Sequence, residues 1–187
     1  MRPFLSVLLE TLPLIALFVG THLYSLFIGA GAAVFVSAIL IIIQFAKDRT
    51  LLYFPLFSTL LSVVFIITAF ITGETVFIKI QASLFNICFA FILLTGWTRG
   101  YPIMKLFFGK QFMLTQETWM KLSFRWGMFF CVLAIANEIA WRSLDDNGWV
   151  NAKLFVFAPA TAVFMALQIP LTLRGRISHT KIKCPYK

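Results

Sequence analysis

Along its length the chain alternates long apolar runs with short polar or basic breaks. Five runs, at about 23–46, 51–72, 76–97, 120–141 and 150–173, are long enough to cross a bilayer, since roughly 20 apolar residues at ~1.5 Å each cover ~30 Å of hydrocarbon. A sixth run, Phe4 to Gly20, is shorter and contains Glu10 and Pro13. It is open to three readings: crossing the membrane, lying in the interface, or entering and returning. Those two residues, and the near-direct continuation into the next run, argue against a cleavable signal. The predicted fold class is all-α: a polytopic helical membrane bundle of five clear transmembrane helices plus an N-terminal apolar segment that is a candidate sixth. It is organised as a single integral membrane domain over 1–187, with 1–22 as the apolar segment, 23–173 as the bundle and 174–187 as a basic tail.

Composition supports that reading. Hydrophobic residues make up 60% of the chain and aromatics 17%, with a mean hydropathy of +0.91; too little polar surface remains to coat a soluble domain. The net charge of +9 therefore belongs to loops and tail. There it marks orientation and attraction to anionic lipid headgroups; no folded polar face exists to gather it for nucleic acid. Lys47 and Arg49, then Arg99, Lys105, Lys110 and Lys121, then Arg174, Arg176, Lys181, Lys183 and Lys187 fall in alternate connections. This predicts those connections, and the C-terminus, on the cytoplasmic side. Gly73-Glu74-Thr75 and the acidic turn from Ser143 to Gly148 fall on the opposite face. The side of the N-terminus follows from whether the first run crosses.

The longest break, 98–119, mixes Lys105 and Lys110 with Phe107, Phe108 and Phe112. It reads as an amphipathic segment in the cytoplasmic leaflet, lysines toward headgroups and phenylalanines toward acyl chains; the alternative is a solvated connector. Thr115 is placed to cap the helix that follows. At 100° per residue, Trp119, Trp126, Leu133 and Asn137 lie within about 40° of one another on that helix. The stripe is either ordinary packing or a contact face for a partner helix, with Asn137 as an interhelical hydrogen-bonding group. Arg125 and Glu138 are charges within the same span, separated by roughly 20 Å along the axis, so they cannot pair. Arg125 can snorkel to headgroups, and Glu138 stands in the favoured order four residues before Arg142. A second reading makes Glu138 a proton-sensitive or partner-binding group that meets Lys153 on the next helix. Small residues recur at Gly29, Ala33 and Ser37 and at Ala158, Ala162 and Ala166, a spacing that allows close helix approach in a compact bundle or a homo-oligomer. Gln81 and Asn86 are expected to hydrogen-bond within the bundle.

Catalytic chemistry finds no constellation, and no cofactor or metal is expected. Cys88, Cys131 and Cys184 are far apart and lack ligand spacing; Cys184 is a free thiol or, beside Lys181 and Lys183, a lipidation site. Asp145-Asp146 suits turn and capping chemistry better than a divalent cation. His22 and His179 have no nucleophile or carboxylate beside them, and Gly29-Ala30-Gly31 lies inside an apolar run rather than a phosphate loop. An oligomeric transporter or channel for an ion or lipid is the alternative function, through Glu10, Arg125 and Glu138.

Four of the five tryptophans fall between Trp119 and Lys153, far more than interfacial anchoring requires. This stretch carries Trp119-Met120-Lys121-Leu122, Trp126 followed by Phe129-Phe130, Ala134-x-x-Asn137, and Trp149-Val150-x-x-Lys153. It resembles the intracellular septation protein A family of inner-membrane proteins. The resemblance extends to Leu12-Pro13-Leu14, Pro102-Ile103-Met104-Lys105 and Pro170, and departs at Ala152 and Leu154-Phe155-Val156, where the family tends to write Phe-Lys-Val-Phe-Gly after Trp-Val. It implies a multi-pass inner-membrane protein that supports septation, envelope biogenesis and envelope integrity. The implied partners are membrane proteins of the division and cell-wall machinery, without a reaction of its own.

Overall fold

The computed structural model describes the backbone of residues 2–48, 53–109 and 112–176, and the side chains of these except 2–10, 47, 48, 53–55 and 57. Glu10, Lys47, Arg49, Lys110, Cys184 and the tail beyond Arg176, which carry several of the expectations above, lie outside the described side chains. The described chain is helical throughout: α1 (Arg2–Leu23), α2 (Leu26–Asp48), α3 (Tyr53–Thr72), α4 (Val76–Thr98), α5 (Ile103–Phe108), α6 (Gln116–Ser143), α7 (Asp146–Ala152), a π-helical stretch Lys153–Phe157, and α8 (Ala158–Arg174). Four segments are long and apolar enough to cross a membrane: Leu26–Ala46, Val76–Thr98, Gln116–Ser143 and Asp146–Arg174. α1 and α3 contribute shorter apolar stretches, Thr11–Leu23 and Ser58–Thr72, next to residues outside the described side chains.

Local chemistry sets the element ends. Gly100 takes a left-handed φ of 76°, so the Tyr101 N–H reaches the Gly96 carbonyl at 2.8 Å and the Gly100 N–H the Trp97 carbonyl at 3.0 Å; this paired arrangement satisfies carbonyls at the end of α4. Thr115 Oγ1 accepts from the Thr118 N–H at 3.4 Å at the start of α6, the expected cap. Asp145 does the same for α7 through the Gly148 N–H at 2.9 Å, as the turn-and-cap reading of the acidic pair anticipated.

The last apolar run is not one uninterrupted α-helix. Pro159 supplies no N–H, and its ring would crowd the Phe155 carbonyl in a regular helix. The wider π turn before it, in which the Ala158 N–H reaches back to the Lys153 carbonyl, lets the chain continue past the proline.

Two compact units divide the chain. The first comprises residues up to Ser83 and Ala136–Pro159. Its core joins Leu17, Leu26, Ala30, Ala69, Ile78, Ala140, Trp149 and Val150. α1 and α2 form a hairpin across Tyr24-Ser25, pressed together where a Cβ on Gly20 would lie 2.6 Å from Gly29 Cα. The second unit comprises Leu84–Ile135 and the chain from Ala160. Its core gathers Leu93, Met104, Leu114, Trp119 and Leu122, with Trp126, Phe130 and Leu171 packed on it. The expected amphipathic segment contains α5, whose Met104 N–H bonds Ser123 Oγ at 3.3 Å, while Lys105, Leu106, Phe107 and Phe108 are exposed.

Candidate functional site

The first unit holds a knot of polar groups inside apolar helices. α4 presents Lys79 and Ser83 on one face, a turn apart. α6 brings Asn137, Glu138, Trp141 and Arg142, and α7 brings Asp146 and Trp149. Asn137, 1% exposed, is the centre. Its Nδ2 donates to the Lys79 carbonyl at 3.1 Å and to Ser83 Oγ at 2.8 Å, and its Oδ1 accepts from Trp149 Nε1 at 3.1 Å. Ser83 Oγ in turn donates to Glu138 Oε2 at 3.0 Å, which also accepts from Trp141 Nε1 at 2.8 Å. Glu138 Oε1 takes both Nε and Nη2 of Arg142, at 3.2 and 2.8 Å. Above this, the Lys79 ammonium meets Asp146 Oδ1 at 2.6 Å, and Thr75 Oγ1 donates to the same oxygen at 3.3 Å.

Every buried side-chain nitrogen and oxygen among the described residues has a partner. That is what an apolar medium demands, because an orphaned polar group there costs kilocalories rather than tenths. The knot's chemistry is thus charge neutralisation and helix fastening. Among the described residues no group of three or more His, Cys, Asp or Glu is placed to hold a metal ion.

The four stripe residues do not share one environment. Trp119, 2% exposed, and Trp126 belong to the second unit, where the Trp126 ring meets Phe164 edge-on at 5.0 Å and Phe129 stacks on Phe164 at 4.0 Å. Leu133 is half-buried, and Asn137 is the heart of the knot. Trp119 and Asn137 thus face the chain's own helices. Arg125 and Glu138 are unpaired with each other: Arg125 Nη1 donates to Gln168 Oε1 at 3.3 Å, and Glu138 pairs with Arg142. The suggested meeting of Glu138 with Lys153 does not occur. The Lys153 ammonium sits instead over the Trp149 ring, 4.3 Å from its centre. Gln81 Nε2 donates to Ser62 Oγ within the first unit.

Lys79, Ser83 and Asp146 are the members of the knot that sequence reasoning passed over as contacts. A signal for the ion pair was present: the alternation of basic and acidic connections puts the turn before Lys79 and the turn holding Asp146 on the same face. The pair is asymmetric, with side-chain exposures of 7% for Lys79 and 38% for Asp146, which orders the expected mutational effects. Asp146→Ala strands a buried ammonium and is expected to cost about 3 kcal/mol, whereas Lys79→Met leaves a carboxylate that water can reach and costs about 1–2 kcal/mol. Unfolding of the detergent-solubilised variants checks the order; equal losses, or the reverse order, would contradict this account of the pair.

An all-helical chain with four segments long and apolar enough to cross a membrane, and aliphatic side chains turned outward, defines a helical membrane protein. The family profile described as intracellular septation protein A matches residues 5–178, and the chain belongs to that family. It is 32% identical over 183 residues to the inner membrane-spanning protein YciB of Rickettsia bellii, covering 95% of this chain and 99% of the relative. It is 37% identical to the protein of the same name from Brucella melitensis, covering 91% and 93%. No solved structure matches.

Proposed function

We propose that this chain is a non-catalytic multi-pass protein of the inner membrane that supports septation and envelope integrity by holding membrane proteins of the division and wall-elongation machinery. The observation that carries the reading is the state of Glu138. It is the carboxylate of the Trp119–Lys153 stretch that lies well inside a long apolar helix, and both its oxygens are already engaged by Arg142, Trp141 and Ser83. Such a carboxylate fastens helices. In this reading partners meet the outward face of α6, where Met128, Val132, Ile135 and Ile139 are exposed, together with the α5 segment.

In this proposal α1 is a sixth span: its 22 residues cover about 33 Å, and it forms a tight hairpin with α2. Both termini and the basic connections are then cytoplasmic, and the exposed Leu106, Phe107 and Phe108 of α5 enter the cytoplasmic leaflet beside anionic headgroups.

Photo-crosslinking residues at Met128, Val132, Ile135 and Phe107, irradiated in living cells, test the adaptor reading. Reproducible adducts to division or wall-synthesis membrane proteins are expected. Adducts confined to lipid and to the protein itself would overturn it and favour an oligomeric pore for an ion or lipid.

A further inference from the structure

Charge is shared unequally between the two units. Glu117 is the one acidic residue within 84–135 and 160–187, so the second unit carries the chain's whole net charge of +9, while the acids and bases of the first unit balance. Lys121 already holds Glu117, at 2.6 Å. Arg125, one turn further along α6, makes no ion pair among the described residues. Its Nη1 donates to a neutral acceptor, Gln168 Oε1, at 3.3 Å, which leaves the guanidinium fork without an anion. Gln168 is 7% exposed and is itself held, its Nε2 donating to the Phe164 carbonyl at 3.2 Å, so it fixes where the guanidinium sits.

Arg125 is exposed, and so are the residues on its side of the helix: Lys121, Met128 and Val132 lie within about 60° of it around α6. On its other flank Leu122 and the Gln168 side chain are buried. Arg125 therefore stands at the rim of the seam between α6 and α8, with its open side toward the bilayer. Depth follows from length. The 28 residues of α6 cover about 42 Å, more than the ~30 Å of hydrocarbon. Counting roughly 20 residues back from the exposed, ion-paired Arg142 puts the hydrocarbon boundary near Leu122 and Arg125 about 5 Å inside it. An arginine at that depth reaches the phosphate layer, because its side chain leans toward the start of the helix.

We infer that Arg125, positioned by Gln168, binds the phosphate of an anionic phospholipid in the leaflet where α6 begins. The guanidinium fork matches a phosphate, and the unit's unbalanced positive charge favours a lipid with net negative charge. A free anion would have to leave water to reach this depth, and an acidic protein segment would have to bring its backbone below the boundary. A phospholipid already carries its phosphate there, and its chains lie against apolar residues such as the exposed Met128. The site needs no partner protein, so it stands or falls separately from the adaptor reading.

Native mass spectrometry of the full-length protein in detergent, titrated with phosphatidylglycerol, tests it. Arg125→Gln is expected to bind that lipid roughly fivefold more weakly than the unaltered protein, the share of one cation near a headgroup layer. Lys105→Gln removes the same charge from another exposed position of the second unit and should bind as the unaltered protein does. Gln168→Leu keeps every charge but frees the guanidinium, and should weaken binding about threefold, the worth of one interhelical hydrogen bond. Unchanged binding by Arg125→Gln, or equal losses in Arg125→Gln and Lys105→Gln, overturns the site; unchanged binding by Gln168→Leu overturns the positioning role. Displacement by millimolar inorganic phosphate overturns the lipid as the occupant. A second measurement needs no variant. In vesicles, phosphatidylglycerol with a photoreactive group high on its acyl chain should label Met128 severalfold more than the matching phosphatidylcholine does, and equal labelling overturns the proposal.

Discussion

Asn137→Leu is expected to destabilise the protein by about 3 kcal/mol. Leucine keeps the branched shape and is no smaller, so no cavity is left and the loss reports chiefly the hydrogen bonds. Three bonds vanish, to the Lys79 carbonyl, Ser83 Oγ and Trp149 Nε1. Interhelical hydrogen bonds in membranes average about 0.6 kcal/mol each, which accounts for about 2 kcal/mol. The remainder is an orphan. Ser83 keeps Glu138 as acceptor, and the Lys79 carbonyl lies within a helix, but the Trp149 indole N–H, on a residue 1% exposed, is left with nothing to donate to. A double variant separates these contributions. Trp149→Phe removes the N–H, so Asn137→Leu/Trp149→Phe should be about 1 kcal/mol more stable than the two single losses predict when added. Strict additivity in detergent unfolding would show that the indole N–H had found another acceptor and that the knot is less closed than its geometry indicates.

The knot also shows why part of this site was legible in sequence and part was not. Asn137 and Trp149 stand out because a polar or amphipathic side chain in an apolar run must be explained, and Glu138 with Arg142 follows from four-residue spacing on one helix. These are local patterns. What joins them is not local: Ser83 looks like a small residue in α4, and Lys79 like a flanking charge, until α4 is laid against α6. Helical period places residues on a face but says nothing about which neighbour covers that face. Helical period alone puts Trp119 to Asn137 on one face of α6, while what covers that face, Phe164 against Trp126 and Lys79, Ser83 and Trp149 against Asn137, depends on tertiary packing. Lys153 is the converse case. Opposite charges on successive helices suggested a pair with Glu138, but Arg142, on the same helix as Glu138, takes that carboxylate first, and the indole of Trp149 takes the ammonium.

The hairpin of α1 and α2 makes the second large effect a steric one. Gly29 lies where a Cβ would fall 2.6 Å from the Leu17 carbonyl oxygen and 2.7 Å from the Thr21 backbone nitrogen, besides striking Thr21 Oγ1. Two of these three obstacles are backbone, which cannot rotate aside, so even alanine must push the helices apart. Gly31, two residues on, has open space around a Cβ and is the internal control: Gly31→Ala gains helix propensity and should be neutral or slightly stabilising. Gly29→Ala is expected to cost about 2 kcal/mol and Gly29→Leu about 4 kcal/mol, in the range of severe overpacking. The separation breaks the apolar contacts of Leu17, Leu26 and Ala30, three members of the first unit's core, and moves Thr21, whose Oγ1 is held by the Leu17 carbonyl at 2.7 Å. Fluorescence transfer between probes on exposed Val19 and Ile28, together with unfolding in detergent, would report both consequences. A Gly29→Leu protein as stable as the parent, with an unchanged probe distance, would mean that the first two helices do not pack as a close hairpin, and the assignment of α1 as a membrane span would lose its main support.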